Sequence, residues 1–339
     1  MADPSSLGVL AALTRDGWSN LADLFLLPAS RFYFPSLIAA AGFAAIAYRL
    51  HYARQGSFRP GDFLRFLFPA RVYRHRSLRV DAGLLLFAKL LSPARWLVFG
   101  LSVGGAAAAL CVGLETWFGP RPGLGGGVAA TLLFACLLVL AYDFGTYLTH
   151  RLSHRVPLLW AFHRVHHSAE ELNPLTVLRK HPVYDAVAIA MDVAIVAPIQ
   201  GTILYLWGSG ATATALIAVN LSFGLFGFAA ATLRHSHIWL SFGWLNRILV
   251  SPAMHQIHHS RAERHWDRNY GEVFAVWDWM FGSIYLPAGR ERLSFGLADG
   301  EDVHPTLASA LMEPFAYAGR TLRGSREAGS ALNPAADGG

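Results

Sequence analysis

Five stretches of the chain are apolar over lengths that suit a bilayer: residues 32–48, 97–117, 126–148, 184–207 and 211–233. A membrane-spanning helix needs about 17–25 mostly apolar residues. The first stretch sits at the lower limit, so the pattern predicts four or five spans. Residues 82–92 are apolar but too short to cross and carry Lys89, which fits a helix lying at the interface. Gly208-Ser209-Gly210 turns a hairpin between the last two stretches. Ser251 followed by Pro252 has the form of an N-cap and a first helical residue, so a helix is expected there. From about Gly324 the chain is Ala, Gly, Ser and Asp without periodicity, and an unstructured tail is expected. The architecture these patterns predict is all-α and integral to a membrane.

Composition agrees: 54% of the 339 residues are hydrophobic and 15% charged, against about 25% charged in soluble domains. With five spans, Arg15, Arg31 and Arg121 fall on one side and the remaining 25 of the 28 Lys and Arg on the other. The positive-inside rule makes the richer side cytoplasmic. The net charge of +6 is then a surface facing anionic lipid rather than one for nucleic acid. Cys111 and Cys136 fall inside spans and read as small buried hydrophobes. The N-terminus lacks a charged region followed by an apolar one, so no cleaved signal peptide is expected.

Histidine is the residue that carries chemistry here. The chain has 15 of them, in the runs His150-x3-His154, His163-x2-His166-His167 and His255-x2-His258-His259, with His181 and His235 nearby. Residues three and four apart share a helix face, so each run is expected to point its imidazoles together. All lie on the basic side of the predicted membrane. Neutral imidazole binds transition metals, and eight to ten exceed the need of one ion, so two ions are implied. His-Glu-x-x-His and Glu-x-x-His motifs are missing, which removes zinc-protease and carboxylate-bundle readings. A membrane metal-binding or transport protein stays open as the alternative, although few acids, Asp143 and Asp192 among them, lie within spans two to five.

The three runs, with Asp143-Phe144, Leu159 to His163, Arg179 to Pro182, Leu245-Asn246-Arg247, Asn269-Tyr270-Gly271 and Trp277-Asp278 around them, resemble the fatty acid hydroxylase/sterol desaturase superfamily. The likeness covers about residues 130–285 and divides the chain into a membrane and basic region at 1–125, a catalytic domain at 126–290 and a C-terminal segment at 291–339. The resemblance implies two iron ions, with zinc as a substitute acquired in purification, and dioxygen as co-substrate. It makes His150, His154, His163, His166, His167, His255, His258 and His259 catalytic ligands, joined by His235 and His181. It implies a lipid substrate that is hydroxylated or desaturated, and electrons from a separate donor protein. Family members commonly have Ser-Asn after the histidine matched by His235; this chain has Ser236-His237, which leaves His237 either a ligand or a surface group.

Weaker expectations concern the surroundings. Asp143 either accepts a ligand's ring N–H or caps a helix end, and Asp185 admits the same two readings. Asp192 and Asn220 are expected to pair across the second hairpin. Trp277, Trp279, Phe281 and Tyr285 read as interfacial anchors, and His265 and His304 as surface residues.

Overall fold

The computed structural model describes residues 22, 25–26, 32–52, 59–90, 102–124, 127–208, 231–297 and 303–331. Among them the fold is helical, with one isolated β-bridge between Leu249 and Phe274. The first part comprises α1 (Phe34–His51), α2 (Pro60–Leu67), α3 (Ala70–Tyr73), α4 (Arg76–Leu90), α5 (Val103–Phe118), α6 (Val128–Arg155), α7 (Pro157–His167) and α8 (Pro182–Trp207). After it come α9 (Pro252–His258), α10 (Val276–Met280) and α11 (Leu307–Ala331).

Two helices are long and apolar enough to cross a membrane, α6 with 28 residues and α8 with 26. At 1.5 Å per residue they reach about 40 Å, beyond the roughly 30 Å hydrocarbon core. The other expected spans fare differently. Residues 32–48 fall largely in α1, the described part of 97–117 falls in the 16-residue α5 with 97–101 outside the described residues, and most of 211–233, with Asn220, lies outside them too. Residues 82–90 of the stretch 82–92 belong to α4, which begins earlier, at Arg76; 91–92 lie outside the described residues.

α6 changes character along its length. Val128, Leu132, Leu133, Leu137 and Leu140 form an apolar stripe that is exposed among the described residues. From Ala141 onward the buried side chains become polar: Asp143, Thr149, His150 and Ser153. One helix thus runs from an apolar surface into a polar interior. α8 packs against α6 through Phe134, Leu138, Ala141, Val196 and Ile203, with Val103 of α5 packed on the same cluster. Gly201 permits the approach to α5, because a Cβ there would stand 2.7 Å from the carbonyl oxygen of Ala107.

Pro157 begins α7 immediately after α6 ends, since proline cannot continue the hydrogen-bond ladder but suits a first turn. The expected cap at Ser251 is present, its hydroxyl accepting from the Met254 N–H. α11 continues past Gly324 to Ala331, so the helix displaces the first part of the expected tail. It lies on α4 and α7, where Val80, Leu84, Val165 and Ala310 share one apolar cluster and Ala161, Phe162, Tyr184 and Ala318 another.

Candidate metal centre

Nine of the ten expected histidines gather into two adjacent groups. One holds His150, His154, His163, His167 and His258; the other holds His166, His235, His255 and His259. Within each, the donor nitrogens lie within 4.8 Å of one another, and all but the partly buried His154 are buried.

The grouping differs from the expectation that each run points one way. On a helix at 100° per residue, positions i and i+4 lie about 40° apart while i+3 falls about 60° to the other side. α7 therefore sends His163 and His167 to one group and His166 to the other. α9 does the reverse, sending His255 and His259 to the second group and lending His258 to the first. The exchange interlocks the two, and His167 and His259 stack where they meet, ring centroids 4.5 Å apart.

Hydrogen bonding alone cannot account for this packing. The Nε2 of His235 lies 3.0 Å from that of His255, 3.1 Å from that of His259 and 3.2 Å from that of His166. In the five-histidine group, the Nε2 of His167 is 3.1 Å from that of His154 and 3.2 Å from those of His163 and His258. A ring nitrogen has one proton or one lone pair, so it cannot serve three such neighbours. Donors about 2.0–2.1 Å from a shared cation stand about 2.9–3.4 Å apart in tetrahedral or octahedral arrangements. The observed spacings fit that polyhedron. The donor set is imidazole only in both groups, which suits a borderline transition metal.

The protonation states agree. Burial holds His163, His166, His167, His255, His258 and His259 well below the ordinary histidine range, and their crowding adds to it. Neutral rings offer a lone pair at Nε2 when Nδ1 carries the proton. Two rings are fixed in that form: His150 Nδ1–H donates to the Tyr270 carbonyl and His258 Nδ1–H to the Arg268 carbonyl, each at 2.8 Å. His150 Nε2 is buried without a hydrogen-bond partner, which suits a metal ligand.

Those two carbonyls come from one tight loop. Asp267 and Asn269 adopt φ of 59° and 55°, the left-handed region that Asn and Asp tolerate. The alternation turns the carbonyls of Arg268 and Tyr270 toward the five-histidine group. Asn269 clamps the loop by donating to the Met254 and Tyr285 carbonyls and accepting from the Tyr285 N–H. The Tyr270 ring lies against His154, and its hydroxyl donates to Asp267 at 2.6 Å. Burial and that carboxylate raise its pKa, so the phenol keeps its proton.

Other expected residues fall elsewhere. His181 stands outside both groups as the N-cap of α8, its Nδ1 accepting from the Val183 N–H and its Nε2–H donating to the Leu311 carbonyl. Both ring nitrogens are occupied, which removes it from the cage. His237 donates to the Phe66 carbonyl and packs on that ring, so it is neither a cage member nor a free surface group. His265 and His304 are buried rather than exposed, paired with Glu291 and Glu313. Asp143 takes neither expected role: it accepts from the Val273 and Phe274 N–H groups and from the Trp277 indole, tying α6 to the loop after α9. Trp277 is thereby a structural donor, whereas Trp279 and Phe281 are exposed as interfacial anchors would be. Asp192 lies against Gly145 of α6.

Several contributors lie outside the histidine spacing, although Trp160 and Arg179 belong to the motifs around it. A cavity of about 280 Å³ opens onto the five-histidine group, lined by His154, His167 and His258 together with Trp160, Trp266 and Asp267. Trp160 packs on His154 and His167. Behind α7, Arg179 is fully buried and paired with Asp81 at 3.0 Å, while also donating to the Val165 carbonyl and the Ser168 hydroxyl. Only the Asn in Asn269-Tyr270-Gly271 hinted at the left-handed turn; nothing in Asp81's local sequence marked it as Arg179's partner.

Known proteins resemble the chain over the same region. The fatty acid hydroxylase family model matches residues 135–283. Human alkylglycerol monooxygenase is 32% identical over 160 residues, 47% of this chain and 32% of its own length. The ornithine lipid hydroxylase OlsE of Rhizobium tropici is 32% identical over 184 residues, 54% of this chain and 50% of its own. A Delta(7)-sterol 5(6)-desaturase of Aspergillus fumigatus is 27% identical over 169 residues, covering 46% and 50%. The chain thus spans a third to a half of the length of these curated relatives. No solved structure matches it. Over residues 135–283 the chain is thus similar to the fatty acid hydroxylase/sterol desaturase superfamily.

Proposed function

We propose that the protein is an integral-membrane, oxygen-dependent lipid hydroxylase or desaturase with a histidine-ligated di-iron centre. The observation that carries the reading is the pair of interlocked imidazole groups at the polar end of an apolar helix. Relatives named as lipid hydroxylases, monooxygenases and a sterol desaturase support it.

His150, His154, His163, His167 and His258 would hold one iron, and His166, His235, His255 and His259 the other. Bound there, the irons would supply reduction of dioxygen and cleavage of an unactivated C–H bond. The protein's own part is set by the geometry. The Arg268 and Tyr270 carbonyls keep the Nδ1 protons of His258 and His150, so both rings present Nε2 lone pairs. Trp160, Trp266 and Leu297 place apolar surface beside His154 and His258, where an alkyl chain could lie. The imidazole-only donor set withstands an oxidising reaction that would destroy thiolates. Hydroxylation and desaturation share the first hydrogen removal and diverge only afterwards. Electrons come from a separate donor protein, and the basic side of the membrane, with the cage, faces the cytoplasm.

The test is turnover. Iron-loaded protein in nanodiscs of total lipid extract, given a chemical reductant and labelled dioxygen, should yield lipids that gain one labelled oxygen atom or lose two hydrogens. His258→Ala should yield none. A protein that holds two irons yet modifies no lipid above that variant would refute the proposal.

A further inference from the structure

The segment 290–297 borders two cavities. Gly296 and Leu297 line the opening onto the histidines, whereas Arg290, Arg292, Leu293 and Phe295 line a second cavity of about 540 Å³. Ser236 and Gln256, each only 3% exposed, form part of the second cavity's wall and adjoin His235 and His255 in the chain. Arg71, Arg290 and Arg292 bring three guanidinium groups to it.

Its charge is unbalanced. The one carboxylate in the lining, Glu291, is already bound to Arg264 at 2.9 Å, to the Tyr285 hydroxyl at 3.0 Å and to His265 at 3.1 Å. Arg71 reaches Glu171 only at 3.7 Å with its side chain 72% exposed. Arg290 lies over the Tyr52 ring at 4.2 Å. Among the described residues, neither Arg290 nor Arg292 forms an ion pair. Guanidinium forks match the paired oxygens of a phosphate, and a partly enclosed site strengthens such contacts.

The position narrows the ligand's source. Tyr52 directly follows α1, whose Phe34, Ile38, Ile46 and Leu50 are exposed and apolar. Tyrosine at the end of such a helix marks the headgroup level of a bilayer, and the cavity adjoins it through Arg290. We infer that this cavity binds a phosphate group, presented by a lipid headgroup or as the free anion.

Calorimetric titration of the full chain in detergent tests this with dihexanoyl phosphatidic acid, inorganic phosphate and uncharged dihexanoylglycerol. Saturable binding of either phosphate probe, weakened about tenfold or more in the Arg290→Gln/Arg292→Gln double variant, is the expected result. Tighter binding of the phosphatidic acid assigns a headgroup; equal affinities assign the free anion. Binding of dihexanoylglycerol as tight as that of the acid, no saturable binding, or an affinity unchanged by the substitutions would overturn the inference. Unaltered metal content in the double variant verifies its fold. Arg292→Gln alone, which leaves the Arg290–Tyr52 contact intact, serves if the double variant fails to fold. Binding is read without turnover, so this outcome and that of the oxidase proposal are separate.

Discussion

Replacing Asn269 should show how far the five-histidine group depends on the loop behind it. Asn269→Ala removes three side-chain hydrogen bonds, of 3.2 and 3.0 Å to the Met254 and Tyr285 carbonyls and 2.7 Å from the Tyr285 N–H. At about 1 kcal/mol net for each bond, more where a buried group is left unpaired, these sum to about 3 kcal/mol. Alanine at φ 55° adds about 1 kcal/mol of left-handed strain that asparagine tolerates. The expected loss is therefore about 4 kcal/mol. Asn269→Gly loses the same bonds without the strain and should be about 1 kcal/mol more stable than the alanine variant. Both variants free the Arg268 and Tyr270 carbonyls to move, so metal should be lost from the five-histidine group before the four-histidine group. Urea unfolding in detergent gives the stabilities, and cobalt titration followed by visible absorption resolves the two sites. Variants as stable as the parent, or alanine equal to glycine, would refute the role assigned to the loop.

Three further outcomes are expected. His181→Ala should lower stability by about 1–2 kcal/mol through the lost cap and Leu311 bond, yet leave metal content unchanged by mass spectrometry. Asp81→Ala should cost about 3–5 kcal/mol in thermal or urea unfolding, because it strands the fully buried Arg179. Acid should destabilise the metal-free protein steeply: His163, His166, His167, His255, His258 and His259 have folded pKa values below their unfolded ones, so the unfolded chain binds more protons. Their contribution is whole above about pH 6.5 and falls as pH drops below it, by up to about 1.4 kcal/mol per unit for each ring. A melting temperature flat between pH 7 and 5 would contradict this.

Spacing alone announced the histidine cluster, because three- and four-residue intervals on helices concentrate side chains whatever the tertiary fold. It could not assign partners. Whether His166 joins His163 or His259 depends on which helix faces it, and the approach of α7 to α9 is a long-range fact. The supporting acceptors were hidden for a different reason: the Arg268 and Tyr270 carbonyls belong to the backbone, and residue identity does not encode where they point. His181 misled because a helix-capping imidazole and a metal-binding one look alike in a His-Pro pair. The apolar runs located α6 and α8 well, whereas within the 97–117 run α5 starts only after the Ser102 cap, since apolar composition does not fix where a helix begins. His265 and His304 were misplaced on the surface because their carboxylate partners, Glu291 and Glu313, are not adjacent to them in sequence.

The central claim is that the two imidazole groups are metal sites, and metal stoichiometry tests it most directly. Protein expressed with iron supplementation, purified in detergent and reconstituted anaerobically, should contain about two irons per chain by inductively coupled plasma mass spectrometry, one for each group. A chain that binds no transition metal after anaerobic reconstitution would contradict the account.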